Sequence, residues 1–161
     1  ILFRLVGSEM CIRDRVVDDM VLFDSRTILD YLDARAGGGK ILPVSGPGRY
    51  AVMSMSALAD GILDAAVLVI YEDRLRPEGM QVESFVTFQR DKIIRGLQGI
   101  PMERYESGAM PDIAEIGVAC ALDYLDFRKQ VEWRDHAPHL VEWKDGFAAA
   151  VPGYADTMPS D

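Results

Sequence analysis

Cysteine is nearly absent from these 161 residues: Cys11 and Cys120 are the only two. They make no C-x-x-C pair and no metal spacing with His136 or His139, which argues against a disulfide framework or a thiolate zinc site. A reduced, cytoplasmic setting is the default that follows. Long apolar runs are missing as well. The longest, residues 65–71, falls far short of the roughly 20 residues that cross a bilayer, so no membrane span is expected. Positive charge is scarce: 17 Lys and Arg stand against 26 Asp and Glu, a net charge of −9. Such a surface repels phosphate backbones and anionic lipid, and no basic patch offsets it, so neither nucleic acid nor membrane is an expected partner. Internal repeats and low-complexity tracts are absent too.

What is present has the balance of a globular protein, with 49% apolar and 27% charged residues. The length suits one domain, or one domain plus a fragment of another. Val16-Val17 and Val21-Leu22-Phe23 read as two short strands around the turn Asp18-Asp19. A helix begins at Ser25, with Ile28, Leu29 and Leu32 on its apolar side and Asp30, Asp33 and Arg35 opposite. Gly37-Gly38-Gly39 ends it, and "KILPVSGPG" is a linker, placing a domain boundary at about residue 45. Beyond it the chain reads as four to five helices. A long one runs over 49–74 with Leu58, Ile62, Ala65, Ala66 and Val69 in a stripe, ended near Pro77. A second covers 82–97 around Phe85, Val86, Ile93, Ile94 and Leu97. A third begins at Asp112, where Asp112 and Glu115 have the spacing of a capping box. Its Ile113, Ile116, Cys120, Tyr124 and Phe127 mark a buried central helix, with Cys120 as an inert core thiol. Pro138 opens a last helix carrying Leu140, Trp143 and Phe147, and "VPGYADTMPSD" is a coil tail.

The opening "ILFRLVGSEMCIRDR" lacks the order of a secretory signal, because its basic residues follow the apolar patch. It resembles the peptide encoded by sequencing-adapter DNA translated at the edge of an assembled read. On that reading residues 1–15 are a non-native leader and the natural sequence begins near Val16. An ordinary disordered start is the alternative.

Taken together, the segments from 16 to 159 resemble the later part of a cytosolic glutathione transferase of a bacterial subgroup. "LFDSRTILDYLD" is similar to that family's last thioredoxin-half strand, its acidic-residue-plus-Ser motif and its third helix. "ILP" and "GPGR" resemble the linker, "ALADGILDAAV…EDRLRP" the long fourth helix, "AEIGVACALDYLDFR" the capped sixth helix, and "WRDHAPHLVEW" the approach to the seventh. The resemblance implies a mainly α fold: a glutathione-transferase-type helical bundle over 45–161, preceded by a β-hairpin and helix over 16–44 that are the end of a thioredoxin-like domain. Departures exist: Asp112 and Glu115 exchange the usual cap chemistries, and "AVPGY" stands where the family has "RPS". Nothing in the chain matches the family's activating Tyr, Ser or Cys or its cis-proline.

The resemblance assigns Asp24 and Ser25 to glutathione, and chemistry agrees with it. The γ-glutamyl end of glutathione carries an α-carboxylate and an α-ammonium. A helix N-terminus offers free N–H groups and partial positive charge to the first, and Asp24 can accept from the second. The competing explanation is that Asp24 or Ser25 merely caps the helix. Asp60 and Asp64, four apart, form a weaker candidate for acid–base work and more readily line an interdomain groove. His136 and His139 lack further ligands. Met53, Met55 and Met80 read as gap fillers, and Tyr71, Tyr105 and the two tryptophans as core or as pocket wall.

Two functions follow. One is a glutathione transferase fragment that holds glutathione as co-substrate and an apolar electrophile, homodimeric when intact, with thiol activation lying outside this chain. The other is a non-catalytic helical module for dimerisation or protein interaction.

Overall fold

A computed structural model describes residues 15–17, 20–102, 105 and 110–158. Residues 1–14, with Cys11, lie outside the described residues. Strands β1 (Arg15–Val17) and β2 (Met20–Leu22) pair antiparallel, with Val16 opposite Val21. The two expected strands therefore pair, each starting one residue earlier than expected and the second ending before Phe23, while the expected turn Asp18-Asp19 lies outside the described residues.

Helix α1 (Ser25–Arg35) follows directly. It closes at Gly37, whose φ of 104° suits a residue without Cβ. Asp33 was expected on the outer face but is 6% exposed. The reason lies in the linker: the Asp33 carboxylate accepts from the amides of Gly39, Lys40 and Ile41 at 2.8–3.1 Å. Those bonds turn the chain back and bury Leu42. Burial works against the Asp33 charge, but the three amides outweigh it and hold the carboxyl below its ordinary value.

Five further helices follow: α2 (Pro47–Leu75), α3 (Glu83–Gln98), α4 (Ile113–Arg128), α5 (Trp133–His136) and α6 (His139–Ala150). A 3-10 turn, Ala155–Thr157, closes the described chain. Helix α2 starts at Pro47, whose fixed φ suits a first helical position. It packs on α3 and α4 through Ala59, Ile62, Ala65 and Ala66, all nearly inaccessible. Small residues set the spacing. A Cβ on Gly96 would lie 2.7 Å from Ile62 Cγ1, and one on Gly117 would lie 3.3 Å from the Ala59 Cβ. Helix α2 is, among the described residues, the one helix long and apolar enough to cross a membrane by length and composition. Asp60 and Asp64 break up its runs without lowering its mean hydropathy far, which is why the sequence showed no long run. Its buried stripe is the face that α3 and α4 cover.

The capping box forms as expected. Asp112 Oδ1 accepts from the amides of Ala114 and Glu115, and the Glu115 carboxylate accepts from the Asp112 amide at 2.9 Å. The stripe assigned to α4 is only partly right. Ile113 is buried and Ile116, Tyr124 and Phe127 are half-buried, but Cys120 is exposed. The apolar residues of α4 are spread round the helix among Glu115, Asp123, Asp126 and Arg128, so spacing alone does not pick the deepest face. Val118, Ala121, Leu122 and Leu125 take that place. Trp133, Trp143 and Tyr105 belong to the core, with Tyr105 edge-on to Trp143 and Phe147. Met55 packs against the core as a filler, whereas Met53 and Met80 are exposed.

Candidate functional site

The first wall is the start of α1. Asp24 is its N-cap, and its Oδ1 accepts from the Arg26 amide at 2.9 Å. The cap role thus belongs to Asp24, which leaves Ser25, the first helical residue, exposed. Asp24 holds φ 70° and ψ 129°, a conformation that L side chains rarely adopt. The helix itself supplies no partner for the amides of Ser25 and Thr27. A shallow cleft of about 420 Å³ runs here between Val21, Leu22, Phe23, Asp24, Arg26 and Thr27.

Two ion pairs seat this wall on α2. Arg26 Nε donates to Asp60 Oδ2 at 2.6 Å, and Arg49 Nη2 donates to Asp30 at 2.8 Å. The Asp60 hydrogen bond and charge raise the Arg26 guanidinium further above its ordinary value. Arg26 was not singled out from the sequence. Its position one residue after Ser25 was the available signal. Of the weaker candidates, Asp60 is engaged by Arg26 and Asp64 is exposed.

The second wall borders a larger cleft of about 560 Å³, faced by Leu63, Ile116, Cys120, Tyr124, Phe147 and Tyr154. Asp60 and Leu63 are i,i+3 neighbours, one above the other on α2. The seat of α1 and the mouth of this cleft therefore share one stretch of helix. The tail expected to be coil forms the far side. Tyr154 stacks edge-on to Phe147, and its hydroxyl lies 2.7 Å from both oxygens of Asp123. Burial first, then Asp123, push the Tyr154 phenol well above its usual range. Asp123 is 7% exposed and also pairs with Lys144 at 2.8 Å. Lys144 reaches on to Asp126, which takes Trp133 Nε1 and both terminal nitrogens of Arg134. Burial opposes the Asp126 charge, but Arg134, Lys144 and Trp133 outweigh it and hold the carboxyl at about 2.

His136 ends α5 and is exposed, while His139 Nε2 lies 2.9 Å from the Ile100 carbonyl oxygen and ties α6 to the end of α3. Among the described residues no group of three or more His, Cys, Asp or Glu converges as a metal site.

No protein-family model matches the chain. Individual proteins do. A glutathione transferase family member from Pseudomonas fluorescens Pf-5, solved with bound S-(propanoic acid)-glutathione, is 39% identical. Its TM-score is 0.83, over 94% of this chain and 79% of that one. A glutathione S-transferase from Methylobacillus flagellatus KT, solved with glutathione, is 34% identical at a TM-score of 0.77, over 89% of this chain and 72% of that one. The uncharacterised GST-like protein YibF of Escherichia coli K12 is 35% identical over 124 residues, which is 74% of this chain. The chain spans 61% of the length of that curated relative. With a capped central helix, a hairpin-fed α1 and a helical bundle in the family's order, this chain belongs to the glutathione transferase family.

Proposed function

We propose that this chain is the glutathione-holding edge and the helical domain of a glutathione transferase. Residues 16–44 are the end of the thioredoxin-like domain, 45–161 the helical domain and 1–15 a foreign leader. The Ser25 hydroxyl and the amides of Ser25 and Thr27 bind the γ-glutamyl α-carboxylate, with Arg26 adding positive charge nearby. Asp24 Oδ1 already holds the Arg26 amide, and Oδ2 accepts from the α-ammonium. The 560 Å³ cleft receives an apolar electrophile. Thiol activation falls to residues outside 16–161. A lowered thiol pKa there raises the thiolate fraction, and the thiolate is the nucleophile. The observation that carries this reading is the exposed start of α1 behind a strained Asp24. Relatives of the same fold solved with glutathione support it.

Titrating the 15N-labelled chain with glutathione tests it. The Ser25 and Thr27 amide signals are expected to shift and saturate at millimolar concentrations. Ser25→Ala is expected to weaken this about tenfold, the loss of one charge-assisted hydrogen bond. The isomeric peptide Glu-Cys-Gly with an ordinary α-linkage lacks the free carboxylate beside the ammonium and should leave the signals still. Equal shifts with both peptides would sink the assignment.

The intact protein is proposed to be a cytoplasmic homodimer. Helix α2 supports the dimer, since it leaves Tyr50, Met53 and Leu68 exposed at 69%, 44% and 38%. The same face suits the rival, a non-catalytic association module. A chain that self-associates but ignores glutathione would favour that rival.

A further inference from the structure

The tail after α6 makes few backbone ties to the bundle, yet it supplies one side of the large cleft. Val151, Pro152, Gly153, Tyr154 and Thr157 all face that space. Gly153 turns the chain at φ 76°. The described hydrogen bonds within 152–157 run between neighbours: Tyr154 to Val151, Asp156 to Gly153, Thr157 to Tyr154. Tyr154 alone among them reaches α4, through Asp123. Its acceptor is unusually firm. Asp123 is buried on α4 and also held by Lys144, which Asp126 holds in turn.

We propose that Tyr154 is the latch that fixes this tail as a wall of the cleft, and that the Tyr154–Asp123 bond thereby sets the size of electrophile the cleft admits. The proposal rests on reading the cleft as the second-substrate pocket. Tyr154 is a positioning residue: its hydroxyl is engaged by Asp123, which lines the same cleft, and its ring stacks on Phe147. With the latch closed, the cleft takes a flat apolar molecule of limited width between Ile116, Phe147 and the tail. With it released, the tail swings on Gly153 and the cleft opens toward solvent.

Cys120 provides a reporter. It is exposed, lines the cleft and precedes Asp123 by one turn of α4. In a Cys11→Ser background of the full chain, its alkylation is timed with iodoacetamide, which is small, and with N-(1-pyrenyl)maleimide, which is broad and apolar. Tyr154→Phe keeps the ring on Phe147 and removes only the hydroxyl. It is expected to raise the ratio of pyrenylmaleimide to iodoacetamide rates by about tenfold, the effect of losing one hydrogen bond to a charged acceptor. Asp123→Asn retains an acceptor oxygen but gives up the charge, so its ratio is expected to fall between those of the parent and Tyr154→Phe. An unchanged ratio in Tyr154→Phe overturns the latch, as does an equal rise in both rates, which signals general loosening. The pocket reading is tested apart from this. Pyrene itself, added in excess, should protect Cys120 from iodoacetamide. If the ratio rises but pyrene does not protect, the latch stands and the pocket reading falls. If pyrene protects and the ratio is flat, the latch falls alone.

Discussion

Asp33 and Asp126 are carboxylates whose surroundings favour their charged forms, and they do different jobs. Asp33 shapes the linker by gathering three amides. Replacing it with Ala leaves those amides without their acceptor, so the melting temperature should fall well beyond that of Asp145→Ala, an exposed control on α6. Differential scanning calorimetry of the pair checks it, and equal melting points would remove Asp33 from the account. Asp126 contributes a pH dependence that can be isolated by mutation. Its folded pKa, about 2, lies below the ordinary 3.8. Its contribution is therefore complete above the unfolded value and lost as pH falls from about 4 toward 2. Urea midpoints measured across that window should drop more steeply in the parent than in Asp126→Asn, which has no charge to lose.

At the scale of the element, the helix ends and helix contacts set the testable costs. Asp112→Ala removes the acceptor of two first-turn amides of α4 and should destabilise by about 1 kcal/mol. Gly96→Ala drives a methyl into Ile62 where α3 crosses α2 and should cost about 1–3 kcal/mol. Chemical denaturation resolves both, and a neutral Gly96→Ala would mean that Ile62 gives way. These two elements also divide what the sequence made legible. The capping box was readable because its chemistry is local: two residues three apart satisfy each other's amides. So were α1, α2 and α3, whose apolar residues repeat on one side. The orientation of α4 was not readable, because its apolar and charged residues do not separate onto two faces, and Cys120 fell on the wrong side. Asp33 and Tyr154 were missed for a related reason. Each takes its role from partners brought up by folding: a linker that doubles back, and an aspartate 31 residues away. Of the candidate site, Asp24 and Ser25 were legible as a dipeptide at a helix start. Arg26 and Asp60, 34 residues apart, were not legible as a pair.

For the whole molecule, the outward side of α2 is the feature that separates a solitary chain from an assembled one. If it is the dimer face, Leu68→Lys together with Tyr50→Lys should shift sedimentation toward the monomer without changing the circular dichroism of the helices. A parent that sediments as a monomer at every concentration would remove that role. Asp24 has a consequence of another kind. A residue in its conformation costs about 1–3 kcal/mol, whereas glycine there relaxes the backbone and gives up only a few tenths as a cap. In a population selected for heat resistance alone, position 24 would be among the first to drift, and it would drift to glycine. A lineage still under demand for its ligand would keep the acid and tolerate a cooler melting point.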